Sequence, residues 1–397
     1  MFVRLGLLSL LCCLCSFFKL QAQDSLFSGP GLHISVLTCG SGNELYSVYG
    51  HTAIRIIDSS QGTDIVYNYG TFDFADPDFY VKFTRGKLDY YLNDEDFAGF
   101  MSTYMREGRS VHEQILNLDE AEKKAIQQFL QNNLLPQNKF YRYDFLFDNC
   151  STRVRDIFEN LFKDKFQLAK VISDDSVSFR TILNFYERNI HWERFGINLV
   201  MSHKVDDKMT NRQVMFLPEY LENGFAKAML NEKPFVAETK ILLRADMNNS
   251  SVPNHARIAM WLLLIAVIVL SVNKNVAKHL IYFDVLFFML LGLLGCLMLF
   301  MWLGTEHQVC AWNRNLLWAF PLHILFAMML PRNSARIARY AQYAMYILIV
   351  SLCYNLFAKQ EYISEITPIL ILIFWRLSKY ANPLRNLSFQ TFKNFTR

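Results

Sequence analysis

Between residues 23 and 255 the chain has only two cysteines, Cys39 and Cys150. A disulfide-stapled framework is excluded there, since one bridge at most is available. The same stretch has no HxxxH or CxxC spacing and so offers no metal-ligand pattern. It has no internal repeat and no low-complexity tract, which removes solenoids and linker-like segments. Its basic residues are scattered and the net charge of the whole chain is only +4, so nucleic-acid binding has no support. Long apolar runs are missing as well. What remains is mixed, globular in composition and long enough to bury a sizeable core.

The apolar runs lie on either side. Residues 1–22 carry one early charge, Arg4, then an apolar core over 5–18 and a short polar end, KLQA. This reads as a signal peptide cut after Ala22, with an uncleaved anchor as the alternative because Leu20 is a poor −3 residue. Cys12, Cys13 and Cys15 fall inside its apolar core, and LSLLC lacks the small residues of a lipobox. Beyond 255 come the runs 258–272, 280–302, 316–330, 340–357 and 363–377. The second is long enough to span a bilayer alone; the others are short or interrupted. The expectation is an exported domain over 23–255, five transmembrane helices over 256–377, and a cytoplasmic tail, 378–397. The charges agree. The inner loops and tail hold Lys274, Lys278, Arg332, Arg336, Arg339, Arg376, Lys379, Arg385, Lys393 and Arg397. The outer loops hold only Arg314 and Lys359, beside Glu306 and Glu361. Three further cysteines, Cys296, Cys310 and Cys353, lie in or beside the spans.

In the exported domain, LHISVLTC and HTAIRIID read as strands, with Ala53, Arg55 and Ile57 on the face of His51. SSQGT makes a turn and 64–72 is the returning strand. An aromatic-rich segment over 74–91 has Asp76-Pro77-Asp78 to start a short helix. A strand over 110–118 and a helix over 119–134 come next, the helix with Ala125, Phe129 and Leu130 on one face. A second helix is expected at 178–188. Between these lies the segment FYRYDFLFDNCSTRVRDIFENLF, 140–162. Its first half alternates Tyr141, Tyr143, Phe145 and Phe147 as a half-buried strand does. Asp148 and Asn149 offer N-cap side chains, and Val154, Ile157, Phe158 and Leu161 recur at helical spacing. Cys150 is thereby placed in the first turn of a helix, where free backbone N–H groups and the helix dipole favour a thiolate.

A thiol nucleophile needs a base within hydrogen-bond reach and usually a third polar group to orient that base. His51, at the start of a strand after Tyr49-Gly50, is the candidate base; a sheet histidine bonded to backbone is the other reading. The order of a strand histidine and a later helix-start cysteine resembles the circularly permuted branch of the NlpC/P60-type, papain-like thiol fold. YGHTAIRI, YNYGTFDF, FLFDNCSTRVRD, RFGINLVMSHKVDD and MFLPEYL resemble, more closely, the periplasmic domain of the Lnb family, lipoprotein N-acyltransferases of Bacteroidota. The likeness continues more weakly into the membrane part through NRNLLWAFPLH.

The resemblance implies an α+β, permuted NlpC/P60 (papain-like) thiol domain followed by a five-helix transmembrane domain, in the bacterial inner membrane with the catalytic domain in the periplasm. It implies Cys150 as nucleophile and His51 as base. The donor would be a membrane phospholipid and the acceptor the α-amine of a diacylglyceryl-cysteine lipoprotein, with no cofactor or metal. Two alternatives stay open: a membrane-anchored cell-wall peptidase or amidase, and a non-catalytic membrane receptor with a Cys39–Cys150 disulfide.

The remaining candidates are less determined. Asn68 lies on the returning strand where an orienting residue belongs, but one residue of register slip would turn it away, and Tyr67 or Tyr69 would serve instead. Arg153 and Arg155 suit a phosphate, the thiolate, or a helix-face salt bridge with Asp156 or Glu159. Asp206 and Asp207 suit an ammonium group or a solvated turn. Glu306 and His307, in the outer loop, suit an amine or head group, or form an interfacial loop with Trp312 and Trp318 as belt residues. His323 falls mid-span; Asp284 and Glu365 lie near span ends, where they are expected to snorkel.

Overall fold

The computed structural model describes residues 31–173, 176–245, 252–332, 336–357 and 360–381. The expected signal peptide, 1–22, and the tail beyond Ala381 lie outside these residues. The chain begins with β1 (Leu32–Cys39), β2 (His51–Asp58) and β3 (Thr63–Thr71), then α1 (Phe79–Thr84), β4 (Asp89–Asp96), α2 (Phe97–Arg106) and β5 (Val111–Leu116). It continues through α3 (Glu120–Leu134), β6 (Phe140–Arg142), α4 (Cys150–Phe162), α5 (Phe179–Tyr186), α6 (His191–Val200), α7 (Pro218–Ala226) and β7 (Val236–Leu243). The seven strands form one sheet in the order β7-β5-β1-β2-β3-β4-β6, paired antiparallel throughout.

Period-2 alternation gives the sheet two apolar faces. On one, Ile34, Val36, Ile54, Ile56 and Tyr67 pack against Val154, Ile157 and Phe158 of α4 and against Ile126 and Leu130 of α3. On the other, Leu37, Cys39, Ala53 and Val66 meet Phe100 and Tyr104 of α2. Phe158 is fully buried at the centre of an aromatic cluster with Phe166, Phe225 and Phe235. Truncating it to alanine would cost about 3–5 kcal/mol.

The segment before Cys150 differs from its expected strand. Only Phe140–Arg142 pairs, with β4. Asp144 then closes a turn, its carboxylate accepting from the N–H groups of Leu146 and Phe147 at 2.9 and 3.1 Å, and the chain bridges back at Asp148. A local side-chain acceptor has outcompeted the sheet ladder.

The C-terminal part is helical: α8 (His255–Val272), α9 (Leu280–Leu303), α10 (His323–Met329), α11 (Arg336–Phe357) and α12 (Ile366–Ala381). Among the described residues two helices, α8 and α9, are long and apolar enough to cross a membrane. The third expected span is broken. A 3-10 turn at Arg314–Leu317 and a non-helical stretch containing Pro321 precede the short α10. This irregular backbone lies directly on α9. A Cβ at Gly295 would stand 2.1 Å from the Ala319 carbonyl oxygen, so no larger residue fits. Asp284 and Glu365 do not snorkel. Asp284 is fully buried and paired with Arg376 at 2.6 Å, and buried Glu365 pairs with Arg194. An ion buried in such surroundings needs a partner, and each has one. His323 is likewise held between the Trp318 carbonyl and the Tyr340 hydroxyl, at 3.1 Å each.

Two seams join the parts. The last carbonyls of α6 have no partner inside the helix. The Asn313 amide donates to Leu199 and Val200 oxygens at 2.7 and 3.0 Å, and Asn315 donates to Leu199 at 3.0 Å. The second seam is formed by the loop after α9. The Glu306 N–H donates to the Arg85 carbonyl at 2.9 Å, and His307 Nε2 lies 3.2 and 3.1 Å from the Phe83 and Thr84 carbonyls.

Candidate active site

Cys150 is the first residue of α4, and the cap before it is unusually well tied. Asn149 accepts from the Thr152 N–H at 3.0 Å, while its own N–H donates to Thr152 Oγ1 at 2.7 Å, a reciprocal capping box. Its amide also donates to the Phe145 and Phe216 carbonyls at 2.8 and 2.9 Å. The start of the helix is thus pinned from three directions. Ser151 is fully buried with its hydroxyl 2.9 Å from Thr52 Oγ1, which locks α4 to β2 next to the sulfur.

His51 opens β2 directly after Gly50, whose φ of +83° and close approach to the Cys39 carbonyl (2.6 Å for an added Cβ) both require glycine. On one side the His51 ring neighbours Cys150, and each group shifts the ionisation of the other. On the other, its Nε2 lies 3.1 Å from Asn68 Oδ1. The Asn68 amide nitrogen donates to Glu95 Oε1 at 2.9 Å, and that bond orients the amide with its oxygen toward the imidazole. Nε2 therefore carries a proton, and Nδ1 is left as the acceptor nitrogen of the neutral ring. The strand register that was open in the sequence is resolved: β3 pairs Tyr67 with Ile54, and Asn68 faces His51. Tyr67 and Tyr69 turn into the core on the opposite face.

Burial opposes ionisation of Cys150. The facing His51 charge and hydrogen bond, the Thr52 N–H and the Ser151 hydroxyl outweigh it, and the thiol lies below its ordinary value. His51 moves the opposite way: burial lowers it, but the Cys150 charge and the bonds to Cys150 and Asn68 raise it above its usual range. The two shifts are coupled, since each group's charge favours the charged form of the other.

Glu95 was not foreseen. Its segment, DYYLNDED, is dense in acidic residues and carries little strand signal, although it forms β4. Arg109 was also missed. It is buried, donates to the Gly40 carbonyl at 2.9 Å, and opposes protonation of His51.

The disulfide alternative is overturned, because Cys39 and Cys150 are both free thiols. Cys39 pairs with His51 across the β1–β2 ladder, yet its side chain enters the apolar cluster around Tyr104. Burial pushes its thiol up to about 12.

The other candidates are held elsewhere in the fold. Arg153 is bound to Asp148 (2.7 Å) and stacked over the Tyr141 ring at 3.9 Å; Arg155 pairs with Asp156 and Glu159. Asp206 is not a solvated turn but sits buried against Arg180 at 2.6 Å. Glu306 and His307 hold the α1–β4 connection and also line a cleft of about 640 Å³ between the two parts of the chain. Tyr143 lines the same cleft. A Cβ built at Gly70 would lie 3.7 Å from the Tyr143 ring and 3.8 Å from Cys150 Cβ, so ring and thiol flank one glycine.

Comparison with known families decides the relationship. The Lnb N-terminal periplasmic domain matches residues 22–184, and the Lnb transmembrane domain matches residues 248–382. The chain belongs to the Lnb family. It joins a periplasmic N-terminal domain to a transmembrane domain, the organisation of an inner-membrane protein. No curated protein and no solved structure matches it. The Lnb periplasmic match contains His51, Asn68, Glu95 and Cys150; the transmembrane match contains Glu306, His307 and the Asn313–Asn315 seam.

Proposed function

We propose that this Lnb-family chain is a lipoprotein N-acyltransferase that works through a Cys150 thioester. The observation that carries the reading is the Cys150–His51–Asn68 arrangement at a helix start, within a domain fixed to a membrane part. In the first half-reaction His51 Nδ1 takes the thiol proton and Cys150 Sγ attacks the ester carbonyl of a phospholipid. The tetrahedral intermediate collapses, the lysophospholipid leaves with the proton from His51, and the acyl group stays on sulfur. In the second, the α-amine of a diacylglyceryl-cysteine attacks the thioester. His51 takes the amine proton, an amide forms, and the thiolate leaves. The Cys150 and Ser151 backbone N–H groups, unpaired at the first turn, are the donors for the oxyanion. Asn68 orients the base, and Glu306 and His307 border the cleft through which the head group or the amine would approach.

The permuted NlpC/P60-type fold and the five-span topology belong to the same reading. The His255 end of α8 and the Ile366 end of α12 both adjoin the periplasmic domain, through Asn254–Glu365 at 2.8 Å and Arg194–Glu365. Five alternating passes, with 314–332 as the broken third, then leave the C-terminus in the cytoplasm, in keeping with the basic residues there. Arg153, committed to Asp148, takes no part in this scheme.

Mass spectrometry of lipoprotein N-termini tests the proposal in cells with the wild-type protein, with Cys150→Ala, and without the protein. N-acylated termini are expected only with the wild type. Undiminished N-acylation with Cys150→Ala would sink it.

A further inference from the structure

The segment from Phe72 to Phe83 exposes more aromatic surface than its surroundings account for. Phe74, Tyr80 and Phe83 are 70, 79 and 52% exposed, and Val81 is 59% exposed. A soluble surface tolerates single exposed rings, but a contiguous apolar patch marks an interaction site. The rings support one another: Phe74 lies 4.7 Å from Phe72 and 4.9 Å from Phe79, and Phe79 stacks on Phe83 at 6.0 Å. Basic residues flank the patch, with Lys82 held by Asp76, Arg85 exposed, and Lys87 paired with Glu306.

The height of this segment relative to a bilayer is set by its attachments. The carbonyls of Phe83, Thr84 and Arg85 are bound by His307 and Glu306, which come directly after the outer end of the membrane-length helix α9. At the same level Trp302 packs on the exposed Trp312 at 4.5 Å, and Leu303 is exposed. Tryptophans there sit at the membrane–water interface. A short element hydrogen-bonded to that loop, apolar on its free side and flanked by lysine and arginine, has the composition of an interfacial anchor.

We propose that the 72–83 segment is a membrane wedge whose Phe74, Tyr80 and Phe83 side chains insert into the outer leaflet of the bilayer beside the transmembrane domain. Its apolar surface is continuous with the candidate site. Phe72 contacts Tyr90 at 5.2 Å, and Tyr90 stacks on Tyr143 at 4.3 Å, beside Cys150. The wedge does not depend on the acyl-transfer reading, since it rests on the exposure of these side chains and on their attachment to the loop after α9.

Photocrosslinking in the full-length protein tests it. p-Benzoylphenylalanine is introduced singly at Tyr80, at Phe83, at Leu290 on the lipid-exposed side of α9, and at Gln61. The proteins are reconstituted in phosphatidylethanolamine–phosphatidylglycerol vesicles, irradiated, and digested for peptide mass analysis. Gln61 lies in the turn at the far end of the eight-residue β2, roughly 25 Å from His51 at ~3.3 Å per residue. Tyr80 and Phe83 are expected to yield at least ~10-fold more lipid adduct than Gln61 and to approach Leu290, as residues sunk into the acyl boundary should. Yields at the Gln61 level, with lipid adduct at Leu290, would overturn the wedge. So would adducts joining position 80 or 83 to a second copy of the chain in place of lipid.

Discussion

Two thiols stand at the same end of the same sheet, and their surroundings shift their ionisation in opposite directions. Cys39 ends β1, enclosed by apolar side chains and Tyr104, and burial drives its thiol up to about 12. Cys150 starts α4, equally enclosed, yet lies below its ordinary value because a histidine, a backbone N–H and a hydroxyl converge on its sulfur. Burial is common to both and silences one of them. Under the proposed function, reactivity in this domain comes from the groups a helix start and a strand start bring together, not from access to solvent.

The largest test of that contrast is exchange of the two thiols for serine. Cys150→Ser should lower acyl transfer by roughly 10⁴-fold or more, whereas Cys39→Ser should leave it within a small factor, as read by thioester formation on labelled phospholipid. Equal losses would mean that Cys39 takes part. Removing the base should move Cys150 toward the behaviour of Cys39. In His51→Gln, turnover should fall by about 10²–10⁴-fold. Labelling of Cys150 by iodoacetamide, expected in the wild type to extend below the pH of an ordinary thiol, should retreat to higher pH, because the His51 contributions that oppose burial are gone and only the Thr52 N–H and the Ser151 hydroxyl remain against it.

A smaller effect is expected from the cap. Asn149→Ala removes the capping box and both carbonyl bonds, and should cost ~2 kcal/mol in thermal unfolding; an unchanged melting temperature would show that Thr152 alone holds the helix start. The smallest effect concerns the sheet beside Cys39. His112, opposite Thr38, is bonded to Glu222 at 2.9 Å and its pKa is raised, chiefly by that bond. A raised histidine contributes stability that is fully present below its unfolded value of about 6.5 and is lost as pH rises through the folded one. Discounted for partial exposure, the change is ~0.5 kcal/mol at most. His112→Gln should flatten this dependence without altering Cys150 labelling.

The parts of this arrangement that were legible in the sequence are those written locally. Asn149, Cys150 and the Val154–Ile157–Phe158 spacing announce a capped helix without reference to anything distant. His51 heads an alternating strand. Asn68 needed the register of a hairpin, which its pairing with β4 also helps to set. Glu95 and Arg109 were not legible, since their roles come from strands and turns joined only in three dimensions. Arg153 misled helical reasoning, because its partner Asp148 precedes the cap and does not lie at helical spacing after it. The break in the third expected span was hidden for a similar reason. Its composition is apolar, but Asn313 and Asn315 are spent on capping α6, and Pro321 interrupts the chain before α10.

That seam has a kinetic consequence. Because Asn313 and Asn315 close the end of α6, the periplasmic domain is bonded to the transmembrane part and does not swing on a tether. Under the proposed reaction both substrates are held in the same plane by their own acyl chains. Encounter then becomes a two-dimensional search, governed by how crowded the leaflet is with ester and acceptor. Diluting the membrane with inert lipid should slow the enzyme even when the total amount of substrate in the tube is unchanged.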